Sequence, residues 1–276
     1  MTRIRTLVNG ENTETISVFD RGLHYGDGVF ETMAVFNGKI RLWDEHWLRL
    51  LEGCERLQID APDRSTIEQE IVSLSDSEQP LVIKLIVTRG TGARGYRKPQ
   101  PQNVNHVIFQ YPWTRYPDEY TQVGVNVRYC ATPLSENKML AGMKHLNRLE
   151  QVLARNEWTS EEWQEGLMLS NQGYVVDGTM SNLFALKSNI LITPDLNLCG
   201  VRGVMRQTVI KIAKSLGIDV QVKNILPVEI ESMDEVFLSN SLFGIWPVKR
   251  VEETLFSTGK ITRQLREELD KCLGMA

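Results

Sequence analysis

The stretch PWTRYPDEYTQVG, residues 112–124, constrains the fold more than any other feature of the chain. Its prolines and polar residues break the apolar periodicity that runs on either side of it. A chain interrupted there divides into a smaller N-terminal α/β domain, residues 1–111, a linker, 112–122, and a larger C-terminal domain, 123–276. Before the break, RIRTLVNGE reads as a strand and turn, and FETMAVFNGKIRLW as a hairpin turning at Asn37-Gly38. Asp44 is placed to cap a helix with Trp47, Leu50, Leu51, Cys54 and Leu57 inward, and a second helix covers 65–74. LVIKLIVTR and NHVIFQY are apolar strands joined by the glycine-rich GTGARGYRKPQPQN. After the break come VGVNVRYCA, a hairpin in EGLMLSNQGYVVDG, a pair of strands in NLFALKSNILITP, a helix in GVMRQTVIKIAKSLG that stops at Gly217, strands in DEVFLSNS and IWPVKRV, and a polar amphipathic helix at the end. Strands and helices in two unlike groups make an α+β protein.

Composition excludes several classes of function. A net charge of −4 over 276 residues gives no basic face for a nucleic acid. No apolar run approaches the ~18 residues of a membrane span, and MTRIRTLVNG lacks the apolar core of a signal peptide. Cys54, Cys130, Cys199 and Cys272 are far apart and suit reduced thiols in a cytoplasm. His24, His46, His106 and His145 are scattered too, so no metal site is expected, and no GxGxxG or GxxxxGK[ST] appears.

Three segments carry candidate chemistry, each with a plainer reading beside it. In AGMKHLNRLEQVLARNEW, residues 141–158, Leu146, Leu149, Val152 and Leu153 recur at helical spacing, and Lys144 stands just before them. Such a lysine is either a solvated helix start or, if desolvated, a nucleophilic amine suited to Schiff-base chemistry. In CGVRGVMRQTV the glycines at 200 and 203 precede a helix whose N-terminus can take an anion or simply begin a helix. In VVDGTMSNLF, Asp177 is either a turn residue or a carboxylate facing a heteroaromatic nitrogen. The hydroxyls of LSNS, 238–241, would complete a phosphate cup or merely end a strand, and Arg49 beside Leu48 and Leu50 would reach inward or snorkel.

The order RGLHYGDGVFET, HWLRL, TRGTGARGY, KHLNRLEQ, VVDGTMSNLF, GVRGVMRQ, DEVFLSNS resembles the fold-type IV pyridoxal-phosphate enzymes over residues 16–248. That family includes branched-chain aminotransferases, D-amino-acid aminotransferases and aminodeoxychorismate lyases. AGMKHLNRLEQVL and RGTGARGY are most similar to the lyases, which convert 4-amino-4-deoxychorismate to 4-aminobenzoate and pyruvate for folate synthesis.

The resemblance implies a two-domain architecture, pyridoxal 5'-phosphate as cofactor, a small-molecule substrate and a homodimer. It implies that Lys144 carries the cofactor covalently and later moves the proton. Arg49, the backbone of Val204 and Met205, and Ser241 with Asn240 beside it are implied on the phosphate. Asp177 stands where the family has glutamate against the pyridine nitrogen, a departure that shortens the arm. Phe30, Arg94 and Tyr96 are implied on the substrate, with Thr32 facing the same cavity as a catalytic hydroxyl. A D-amino-acid or branched-chain aminotransferase is the nearest alternative, since it uses the same lysine and phosphate cup. The D-amino-acid enzymes, however, carry tyrosine where Phe30 stands and histidine where Tyr96 stands. A non-catalytic binding protein of the same fold is the remote alternative.

Overall fold

A computed structural model describes residues 4–75 and 79–274. The chain forms two compact units. Unit 1 comprises residues 1–115 together with 143–147, and unit 2 comprises 116–142 and 148–276.

Unit 1 is built on a five-stranded antiparallel sheet, in the order β1 (Arg5–Val8), β5 (Asn105–Pro112), β4 (Leu81–Thr88), β2 (Gly28–Phe36), β3 (Lys39–Ile40). Alternation sets its two faces. On β2 the buried Glu31, Met33 and Val35 point to one side, and Phe30 and Thr32 to the other. The β2–β3 turn falls at Asn37-Gly38, both at positive φ, which is the backbone a two-residue hairpin requires. Helix α1 (Arg21–Tyr25) is capped by Asp20 and ends at Gly26 in the left-handed region. Helix α2 (Trp43–Leu57) buries Trp43, His46, Trp47, Leu50, Gly53 and Cys54. Asp44 does not cap it: the helix begins one residue earlier than expected, Leu42 is the cap, and Asp44 sits in the first turn, where its charge still suits the helix dipole. Helix α3 (Arg64–Leu74) is capped by Asp63, which accepts from the Thr66 amide at 2.8 Å.

Unit 2 has a larger mixed sheet. Its strand order is β11 (Val220–Lys223), β10 (Ile190–Pro194), β9 (Asn182–Lys187), β12 (Glu235–Asn240), β13 (Gly244–Val251), β6 (Val125–Tyr129), β7 (Glu165–Leu169), β8 (Val175–Gly178), with β14 (Thr254–Leu255) against β13. Phe184 and Phe237 are directly paired across β9 and β12 and stack at 4.9 Å, both fully buried. Such a pair contributes roughly 0.5–1.5 kcal/mol beyond its area. Four helices accompany the sheet: α4 (Asp118–Gln122) in the proline-broken stretch, α5 (Leu149–Arg155), α6 (Val204–Ser215) and α8 (Lys260–Cys272); α7 (Pro227–Glu231) is a single short turn.

Two findings depart from the sequence reading. The helix expected over 146–158 is shorter, and its apolar stripe is not a core face: Leu149, Val152 and Leu153 are exposed, and Ala154 is the residue that α5 buries. The Lys144 segment was assigned to the C-terminal part, yet residues 143–147 pack in unit 1. The reason is backbone pairing, because the Phe30 amide donates to the Lys144 carbonyl at 3.0 Å and the Leu146 amide to the Gly28 carbonyl at 3.0 Å. Gly28 permits this approach, since a Cβ there would lie 2.7 Å from Leu146 Cδ1.

Candidate active site

Unit 1 gathers Lys144, Phe30, Thr32 and Arg49 around β2. Pairing with the start of β2 fixes the Lys144 backbone, and its Nζ lies 4.4 Å from the centre of the Phe30 ring. An ammonium at that distance over an aromatic face is held by the ring quadrupole. Thr32 follows two residues on, on the same face, half-buried.

On the opposite face of β2, Glu31 is fully buried and binds two partners. Arg49 Nε donates to Glu31 Oε1 at 2.8 Å and Nη2 to Oε2 at 2.5 Å, while His46 Nδ1 lies 2.6 Å from Oε2. Helical spacing puts His46 and Arg49, three residues apart on α2, side by side. Burial by itself would raise the Glu31 pKa, but Arg49 and His46 overcome it and hold the carboxyl at about 2. Burial also lowers the His46 pKa despite Glu31, with Arg49 and Lys144 acting the same way. His46 is thus a neutral imidazole donating to Glu31, and Arg49 is the cation of the cluster. Sequence reasoning found Arg49 but not Glu31 or His46. The spacing of His46 to Arg49 within HWLRL was visible; the pairing with a carboxylate on β2 was not.

Arg94 and Tyr96 lie on the loop after β4, both exposed. Their loop is fixed from below by Arg21, which is buried and donates to the Gly95 carbonyl at 2.9 Å and the Tyr96 carbonyl at 3.1 Å. Asp27 in turn accepts from Arg21 and, with both oxygens, from Arg89 at 2.8–2.9 Å. Burial opposes ionisation of Asp27, yet the two guanidiniums keep its pKa below the usual carboxylate range.

Unit 2 gathers the other set. Asp177, buried on β8, accepts the Val201 amide on Oδ2 at 3.1 Å. Asn182 on β9 donates to the Val201 carbonyl at 2.9 Å. The loop 200–203 is therefore bound on both sides, and it leads into α6 through Gly203. A Cβ at Gly203 would lie 2.0 Å from Asn182 Oδ1, so the close approach requires glycine. No side chain caps α6, and the side chains of Val204 and Met205 are buried, which leaves their backbone N–H groups as what this helix start offers. Gly142, two residues before Lys144, joins this loop: its amide donates to the Gly200 carbonyl and its carbonyl accepts from the Arg202 amide, each at 2.9 Å.

Glu165 was missed by the sequence reading. Fully buried at the start of β7, it accepts from the Thr179 amide and hydroxyl at 3.1 and 2.5 Å, the Met180 amide at 3.2 Å and the Ser181 hydroxyl at 2.8 Å. It shapes the turn that follows Asp177. Asn240 also builds a turn, accepting the Leu242 and Phe243 amides at 2.9 Å each, with Ser241 half-buried inside that turn. Arg148 is half-buried; burial lowers its pKa while Asp177 and Glu150 oppose the shift.

The family model for amino-transferase class IV matches residues 28–251. The chain belongs to this family. It is 35% identical to the aminodeoxychorismate lyase of Vibrio harveyi over 95% of this chain and 98% of that one. It is 26% identical to a D-alanine aminotransferase of Listeria monocytogenes over 98% of both. The crystal structure of 4-amino-4-deoxychorismate lyase from Pseudomonas aeruginosa superposes with a TM-score of 0.92 at 43% identity, covering 96% of this chain and 98% of that one. The architecture is that of the fold-type IV enzymes, as the order of motifs implied.

The donor set fits a pyridoxal phosphate group. It comprises an amine held over an aromatic ring, an uncapped helix start with open N–H groups, a buried carboxylate and an arginine fixed by its neighbours.

Proposed function

We propose that this chain is an aminodeoxychorismate lyase, converting 4-amino-4-deoxychorismate to 4-aminobenzoate and pyruvate, with pyridoxal 5'-phosphate as cofactor. The observation that carries the reading is the Lys144 amine held 4.4 Å over Phe30, on a segment paired to the strand that presents Thr32. The named lyase relatives support the substrate class.

Lys144 would hold the cofactor covalently. Arg49, the amides of Val204 and Met205, and Ser241 with Asn240 would hold its phosphate, and Asp177 its ring nitrogen. The bound cofactor supplies an electron sink that acidifies the hydrogen on the amine-bearing carbon of the substrate. Lys144 Nζ, freed when the substrate amine takes its place, accepts that proton as general base. Asp177 keeps the ring nitrogen charged, and its acceptance of the Val201 amide orients its carboxylate. The C3–oxygen bond then breaks, the carbocycle becomes aromatic, and the departing enol gains a proton at its methylene carbon to become pyruvate. Thr32 is assigned to the proton transfer at the departing oxygen. Phe30 packs beside the amine, and Arg94 and Tyr96 read the substrate from their loop.

The working assembly in this reading is a homodimer in the cytoplasm. It is supported by exposed apolar side chains in each unit, Val18, Phe19 and Leu23 in one and Leu149, Val152 and Leu153 in the other, and by three buried free thiols. No described helix is long and apolar enough to cross a membrane.

The experiment is a coupled assay of purified holoenzyme with 4-amino-4-deoxychorismate, following both 4-aminobenzoate and pyruvate. A parallel assay uses D-alanine and branched-chain amino acids with 2-oxoglutarate. Turnover of the second set without the first overturns the reading in favour of an aminotransferase.

A further inference from the structure

Lys84 lies at the middle of β4, directly opposite Thr32 on β2 and Phe109 on β5. Directly paired residues share a face, so Lys84 stands on the side of the sheet that carries Phe30 and Thr32. Its Nζ is 5.3 Å from the centre of the Phe30 ring, the ring over which Lys144 Nζ lies at 4.4 Å. Among the described residues Lys84 makes no hydrogen bond and no ion pair, although it is half-buried. A half-buried ammonium with an aromatic ring but no anion is a costly arrangement for a structural residue. Burial pushes its pKa below the ordinary lysine value.

We propose that Lys84 binds the ring carboxylate of the substrate, the group across the six-membered ring from the amine that Lys144 serves. This assignment rests on the lyase reading. The two distances to one ring centre place the ammoniums no more than about 10 Å apart. The amine and carboxylate at opposite ends of such a ring are separated by roughly 6 Å on standard bond lengths, leaving a hydrogen-bond length to distribute between the two lysines. Phe30 and Phe109 flank Lys84 along the face and would supply apolar walls for the carbocycle. The same carboxylate survives in the product, so Lys84 should govern product binding as well. A cation placed solely to depress the Lys144 amine would act on kcat instead.

The test compares wild-type holoenzyme with Lys84→Met, Lys84→Gln and Lys84→Arg. Each is assayed with 4-amino-4-deoxychorismate, and for inhibition by 4-aminobenzoate and by aniline. In Lys84→Met and Lys84→Gln, KM and the inhibition constant of 4-aminobenzoate should both rise about 10–100-fold, the scale of one charge-assisted hydrogen bond. Cofactor absorbance and kcat should stay within roughly threefold of wild type. Aniline, which lacks the carboxylate, should inhibit all four proteins alike, and Lys84→Arg should recover most of the affinity. An unchanged KM in Lys84→Met, or a raised KM with unchanged 4-aminobenzoate inhibition, overturns the assignment. Loss of bound cofactor or of fold in all three variants marks Lys84 as structural and overturns it too. A wild-type enzyme that leaves 4-amino-4-deoxychorismate intact brings down the lyase reading and this assignment together, whereas an active wild type with a silent Lys84→Met brings down the assignment alone.

Discussion

Glu31 and Arg49 depend on each other. The carboxylate is fully buried and has the Arg49 guanidinium and the His46 imidazole as partners. Arg49→Ala should therefore do more than loosen a phosphate. It strands a buried charge, which costs about 3–5 kcal/mol. Urea unfolding of the cofactor-free protein should register that loss, and adding Glu31→Gln to Arg49→Ala should restore part of it; equal stability of wild type and Arg49→Ala would contradict the pairing. The pH dependence follows with a definite sign. Glu31 falls from 4.5 in the unfolded chain to about 2 in the folded one. Its contribution to stability is full above 4.5 and drains away as pH drops toward 2. Wild type should lose stability more steeply over that interval than Glu31→Gln, as read from unfolding midpoints. Lys144 has its own test: borohydride reduction of the holoenzyme and peptide mapping should place the pyridoxyl group on this lysine, and a label elsewhere refutes the role. Lys144→Ala should cost at least ~10²-fold in turnover.

At the scale of elements, the start of α6 shows what was legible in the sequence. Glycines before an amphipathic helix announced an open helix start, and the structure has one without a side-chain cap. What glycine does at 203 was not legible, because its constraint comes from Asn182, twenty-one residues earlier on β9. Gly203→Ala pushes a Cβ onto that amide, so cofactor should be lost on dialysis while secondary structure by circular dichroism holds. Full cofactor retention would refute a phosphate role for this turn. The α5 stripe shows the converse. Leu149, Val152 and Leu153 had the periodicity of a core face, but periodicity reports an apolar surface and not what covers it. Similarly, Lys84 was hidden in LVIKLIVTR, where one lysine in an apolar run reads as part of a strand; its position opposite Thr32 needed the register of β2 and β4.

For the whole molecule, the sequence of motifs was enough for the family because fold-type IV chemistry is spread along the chain in a fixed order, and class IV membership spans residues 28–251. The partition into units was harder to read. The chain gives residues 143–147 to unit 1 and returns to unit 2 at Arg148, a crossing made by two backbone hydrogen bonds to β2 with no composition signal. The central claim is the reaction. It is tested most directly by giving purified, cofactor-loaded enzyme 4-amino-4-deoxychorismate and measuring 4-aminobenzoate and pyruvate together. Equal amounts of the two products, at a rate well above any transamination of D-alanine or branched-chain amino acids, are the predicted result. Transamination with 4-amino-4-deoxychorismate left intact would contradict it.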